Sequence, residues 1–146
     1  MPAEPITSDV WIAASPARVF RYFVEPEALL RWMGDYAKLD PRPGGEFAAD
    51  INGVAVRGEY LELDPPNRLV ISWGFAGSDE LPRGASRVEV NLTADGEGTR
   101  VALTHSGLPA EQAEHHDIGW RHFLDRLAIA ASGGDPGPDP WAAGEH

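Results

Sequence analysis

Residues 109–131 read PAEQAEHHDIGWRHFLDRLAIAA. Within them Ala113, Trp120, Phe123, Leu124 and Leu127 recur at helical spacing, which predicts one long carboxy-terminal helix with a single apolar stripe. Such a stripe must be covered, and the segments before it supply the cover. Phe47, Ala49 and Ile51 alternate with polar or small neighbours up to Asn52-Gly53, a two-residue hairpin signal. Val54 to Leu63 follows as a strand whose apolar phase shifts near Gly58, for which a β-bulge at that glycine is the expected cause. Asp64-Pro65-Pro66-Asn67 turns the chain. Leu69, Ile71, Trp73 and Phe75 then share one strand face; Val88, Val90 and Leu92 share another; and Val101, Leu103 and His105 share a third. Asp95-Gly96-Glu97-Gly98 closes the last hairpin.

At the amino-terminal end, Ile6 to Ala14 reads as a strand, and Ser15-Pro16 supplies a helix cap followed by a proline at the first helical position. Val19, Phe20 and Phe23 carry that helix to Pro26. A second helix, holding Leu29, Leu30 and Met33, is expected to run to Gly34. The order is strand, two short helices, antiparallel meander and long helix, an α+β fold in which one sheet face is covered. Residues 5–131 form the expected domain. Residues 132–146, rich in Gly, Pro and acid, read as a flexible tail in which Trp141 is solvated.

The 146 residues suffice for one core and contain no cysteine, which removes disulfides, thiolate metal sites and cysteine nucleophiles. Twelve Lys and Arg against 23 Asp and Glu leave a net charge of −11, a field that repels phosphate backbones and anionic head groups. Neither nucleic acid nor membrane is an expected partner. No apolar run approaches the roughly 20 residues of a membrane span, and Met1 to Ile6 lack the features of a secretion signal, so a cytoplasmic location is expected.

Several motifs keep a familiar order and spacing: Ala14-Ser15-Pro16-Ala17-Arg18-Val19-Phe20, Arg31-Trp32-Met33-Gly34, Pro41-Arg42-Pro43-Gly44-Gly45-Glu46-Phe47, the run from Gly58 to Leu69, Trp73, and Gly119-Trp120 with Leu124 to Leu127. Together they resemble the family named for the activator of heat-shock protein 90 ATPase, within the START-like, birch-pollen-allergen-like (SRPBCC) superfamily. The resemblance spans about residues 5–131. It implies a helix-grip fold, a curved antiparallel sheet wrapped around the long helix, with a central hydrophobic cavity that in relatives binds lipids, hormones or polyketides. It implies no particular reaction. The eukaryotic co-chaperone has an additional amino-terminal domain, whereas this chain starts almost directly at its first strand, so a co-chaperone role is the lesser expectation.

Strand phase and helix stripe direct Phe47, Trp73, Phe75 and His105 inward against Trp120 and Phe123, where they would line a cavity or simply pack. An inward Tyr60 would give the ligand a polar handle, and Trp32 and Met33 could form a lid. An empty apolar void of roughly 300 Å³ would cost about 7 kcal/mol at ~24 cal/mol per Å³, against a total stability of only about 5–15 kcal/mol. The space is therefore expected to be narrowed by tryptophans, wetted around His105 and Tyr60, or filled by ligand.

Glu59, Glu62, Glu89 and Asp50 fall on the outward phase and form no carboxylate pair for acid–base work. Glu111 and His115 have helical i,i+4 spacing, but with Glu114 and His116 they read as a solvated helix start, since no third metal ligand stands at an obvious spacing. Ser72, Ser86 and Ser106 lack a nucleophile-elbow setting, and no phosphate-binding loop occurs. No cofactor is expected. The loop from Ala76 to Ser86 could form a rim, with Arg57 and Arg83 as surface arginines.

The expected function is binding of a small hydrophobic or aromatic molecule in the cavity. Two alternatives stay open: a cyclase or hydrolase in which His105 and Tyr60 polarise a carbonyl, and a chaperone-accessory module whose outer sheet face, including Glu62 and Glu89, binds protein.

Overall fold

The computed structural model describes residues 4–137 and 139. Strand β1 (Ile6–Ile12) leads into α1 (Pro16–Val24) and the single turn α2 (Pro26–Leu29). Six strands follow: β2 (Tyr36–Leu39), β3 (Glu46–Ile51), β4 (Val54–Asp64), β5 (Arg68–Phe75), β6 (Ser86–Asp95) and β7 (Gly98–Ser106). Helix α3 (Ala110–Ala131) ends the fold. The strands form one antiparallel sheet in the order β1-β7-β6-β5-β4-β3-β2, so every neighbour except β1–β7 is a sequence neighbour. This is the α+β helix-grip arrangement, with α3 on the inner face.

Ser15 caps α1 by accepting from the Arg18 amide, as its position before Pro16 predicts. The other end of α1 shows why Pro26 matters. The Tyr22 carbonyl would accept from the amide of residue 26, but proline has none. The indole of Trp32 donates to that carbonyl at 3.0 Å, and the Tyr60 hydroxyl donates to the next one, Phe23, at 2.8 Å. At the end of α3, the Tyr22 hydroxyl and the Arg18 guanidinium donate to the carbonyls of Ala130 and Ala131. The two helix ends are thus closed by side chains that also bind α1 to the sheet and to α3.

Three expectations change. The second helix stops at Leu29, and Leu30 to Met33 continue as turns. Strand β2, too short to announce itself in four residues, pairs with β3 at the sheet edge. The bulge in β4 lies at Leu61 rather than Gly58: Tyr60 faces Ile71 while Glu62 faces Val70, leaving Leu61 as the extra residue. Tyr60 therefore stays on the inward phase of Val56 and Leu61 turns outward, 41% exposed. Gly58 answers a different need. A Cβ there would lie 1.8 Å from the Ser72 carbonyl oxygen, so β5 can approach only a glycine.

Residues 132–137 are irregular but lie against the domain. Arg126 donates to the carbonyls of Pro136 and Gly137, and Asp139 accepts from Asn52 and pairs with His122. Trp141 falls outside the described residues. Among the described residues no helix is long and apolar enough to cross a membrane.

Gly58→Ala should cost about 2 kcal/mol or more, since the strand backbones must part to admit one methyl group. Urea denaturation measures it, and an unchanged midpoint would contradict the close approach at Ser72.

Candidate functional site

Two tryptophans and two histidines join α3 to the sheet. Trp120 on α3 donates from Nε1 to His105 Nδ1 on β7 at 3.0 Å. Indole nitrogen can only donate, so His105 Nδ1 is unprotonated and its proton sits on Nε2. Nε2 donates to Ser86 Oγ on β6 at 2.7 Å, and Ser86 in turn donates to the Trp73 carbonyl on β5 at 2.7 Å. From the same Trp73, Nε1 donates to His116 Nε2 at 3.3 Å, which leaves the His116 proton on Nδ1, donating to the Gln112 carbonyl at 2.8 Å. The circuit leaves α3, crosses three strands and returns to α3 with all its donors aligned in one sense. Burial, and secondarily the neighbouring His116, push the His105 imidazole down to about 3 from its ordinary 6.5. Burial also lowers His116, partly opposed by its hydrogen bond to Gln112. Both rings are neutral bases held in one tautomer each.

Above this circuit lies a cleft of about 700 Å³, open to solvent. Its floor is Trp73 and Trp120, whose ring centroids are 5.1 Å apart. The β3–β4 hairpin supplies Ile51, Asn52, Val54 and Val56; β5 adds Phe75; Met33 follows α2; and α3 presents Gln112, His115, His116, Ile118, Gly119 and Phe123. Phe75 stacks on His116 with centroids 5.6 Å apart. Gly119 lies on this wall, and a Cβ there would meet nothing within 4 Å. Part of the room exists because this position has no side chain.

The family profile described as activator of Hsp90 ATPase homolog 1-like protein matches residues 13–132. The chain belongs to this family. Among solved structures, an AHSA1-like protein from Rhizobium etli is 45% identical with a TM-score of 0.76, the alignment covering 94% of this chain and 87% of that one. DynU16, described as a putative protein in the dynemicin biosynthetic locus, is 24% identical with a TM-score of 0.79, covering 92% of this chain and 49% of its own. An HSP90 activator from Plasmodium falciparum is 24% identical with a TM-score of 0.71, covering 86% and 94%. The last two similarities establish a shared fold. No functionally curated protein matches in sequence.

In this member of the Hsp90 ATPase activator-like family, the inward aromatics divide into two groups. Met33, Trp73, Phe75, Trp120 and Phe123 line the cleft. Trp32, Phe47, Tyr60 and His105 are fully buried, and none of them is among the lining residues. Trp32 is a helix-end donor packed edge-on to Phe23 rather than part of a lid. Phe47 lies between Tyr60 and Trp73, with centroids at 5.7 and 6.0 Å. Tyr60 spends its hydroxyl on the Phe23 carbonyl, and burial followed by the Asp40 charge raises its pKa. His105 has both nitrogens engaged. The pairing of His105 with Tyr60 as a carbonyl-polarising couple is therefore not what this geometry offers. The expected central cavity is instead a packed centre with an open cleft beside it.

His116 is the main residue that patterning missed. It is buried, not solvated, and it falls on the stripe Ala113-His116-Trp120-Phe123-Leu127; its polarity hid a position that spacing alone would have assigned inward. Asn52, Val54 and Val56 join the site because the β3–β4 hairpin and α3 line the same cleft, which no local pattern reveals. Among the described residues no three His, Asp or Glu side chains converge on a possible metal position, and no described buried side-chain nitrogen or oxygen lacks a partner.

Tyr60→Phe should cost about 1–3 kcal/mol by orphaning the Phe23 carbonyl, while leaving the cleft lining intact; equal stability in urea would contradict the helix-end role. Acid should act through His105 with a definite sign. The unfolded chain takes up its proton first as pH falls through 6.5, so this contribution is complete above that value and is lost toward pH 3, at up to about 1.4 kcal/mol per pH unit. The His105 ring resonances should stay unshifted by NMR down to about pH 5, and a midpoint near 6.5 would contradict the sealed circuit.

Proposed function

We propose that the cleft binds a small hydrophobic or aromatic molecule, seated on Trp73 and Trp120 with Phe75 and Phe123 at its sides. The observation that carries this reading is that the room opens directly onto large ring surfaces held rigid by the histidine circuit. Rigid aromatic walls lose little entropy on binding, so apolar burial at about 25 cal/mol per Å² converts into affinity with small ordering cost. An open cleft also meets the energetic objection to a void. Water fills it in the free protein and is displaced by the ligand, so the empty state does not bear the full cost of a dry cavity. DynU16, from a biosynthetic locus, has the same fold and makes a small-molecule role reasonable for the family.

A protein-docking role for the outer sheet face is the second reading, because an HSP90 activator shares the fold. It ranks behind the first. The outer carboxylates Glu62 and Glu89 are both engaged by Arg68, and Glu89 also by Arg87, so the surface charge offered to a partner is largely neutralised within the sheet.

N-phenylnaphthylamine is a suitable probe, since its fluorescence rises in apolar surroundings and it lies within energy-transfer range of both cleft tryptophans. At about 100 times its Kd it should stabilise the protein by about 2.7 kcal/mol, raising Tm by roughly 5–10 °C. Gly119→Met, which adds a side chain where nothing stands within 4 Å, should abolish that shift while itself stabilising the helix by up to about 1 kcal/mol. A probe shift that survives Gly119→Met, or no shift in the parent protein, would overturn the reading.

A further inference from the structure

The polar groups of the cleft wall are unequal in what they leave available. Both indole N–H donors point away into the circuit, to His105 and His116, and both nitrogens of His116 are engaged. Two amides remain on the wall, and each has a carboxylate behind it. Asn52 Nδ2 donates to Asp139 Oδ2 at 3.4 Å, and Gln112 Nε2 donates to Glu80 Oε2 at 3.2 Å. A carboxylate can only accept, so these contacts fix the amide orientations, occupy one N–H of each amide and leave the two carbonyl oxygens as acceptors. Among the described residues lining the cleft there is no Lys, Arg, Asp or Glu. Nearby guanidinium groups are already paired, Arg57 with Asp50 at 2.9 Å and Arg121 with Asp117 at 3.4 Å.

The wall therefore consists of π-faces, amide acceptors and carboxylates set behind them, in a protein of net charge −11. Ring faces attract cations and repel anions, and a carboxylate behind an amide strengthens its carbonyl as an acceptor. Resting on the aromatic-binding reading above, we infer that the cleft selects by charge as well as shape: it takes planar aromatic molecules that are neutral or cationic and carry a hydrogen-bond donor, and it discriminates against aromatic carboxylates and sulfonates. Asn52, in the β3–β4 hairpin, and Gln112, on α3, are the residues that receive the donor.

Two probes with the same ring system separate the charge effect from binding itself: N-phenylnaphthylamine, a neutral amine, and anilinonaphthalene sulfonate, which adds one negative charge. They are titrated by fluorescence into the full chain at low salt and about pH 8. The neutral amine should bind about tenfold or more tightly than the sulfonate, and the gap should narrow on adding salt, as expected for exposed charges. In the double variant Glu80→Gln with Asp139→Asn the gap should shrink about threefold or more. Equal affinities, or a tighter sulfonate, with both signals lost in Gly119→Met would overturn the charge inference and leave aromatic binding standing. Failure of either dye to bind, or binding indifferent to Gly119→Met, would overturn both. A gap unchanged in the double variant would remove Glu80 and Asp139 from the explanation and refute the role assigned to them.

Discussion

Indole nitrogens that can only donate must find acceptors when buried, and between α3 and the sheet they find imidazoles. Trp120 and Trp73 each give a proton to a histidine, and that requirement makes both histidines neutral, sets both tautomers and aligns the Ser86 hydroxyl. Because the circuit begins and ends on α3 and passes through β7, β6 and β5, it locates the helix along the sheet as well as holding it there. Apolar burial alone would not do this. It is nearly indifferent to a small slide of the helix, whereas a hydrogen bond near 3 Å is not.

The same requirement divides the aromatic residues between structure and site. Pro26 leaves carbonyls of α1 without amide donors, and Trp32 and Tyr60 are drawn into the interior to satisfy them. Phe47 and His105 close around Trp73 from the sheet side. What stays open is the outer margin of the cluster, where Gly119 presents no side chain and the β3–β4 hairpin lines the cleft. A packed centre with an open margin avoids the cost of a dry void and still offers ring surface to a guest.

The chain belongs to the Hsp90 ATPase activator-like family, and its fold is shared by a protein of a biosynthetic locus and by an HSP90 activator. Fold alone does not choose among them. The choice rests on the cleft, its ring floor and the carboxylates behind its two amides.

Patterning along the chain was enough for the element order apart from β2, the α+β class, the long α3 and the inward direction of Phe47, Trp73, His105 and Trp120, because periods of 2.0 and 3.6 residues are local properties of strand and helix. The motifs quoted from Ala14 to Leu127 sufficed for the family. Other features could not be read locally. The bulge sits at Leu61 because pairing with β5, not the glycine at 58, sets the register. His116 lies on the inward stripe by spacing, but its polar ring is buried through a contact with Trp73, 43 positions earlier in the chain, that no local pattern announces. Which inward rings line the open cleft and which are spent on packing was decided only by tertiary structure, since direction belongs to one residue and its neighbours in sequence, while access depends on every element that folds over it.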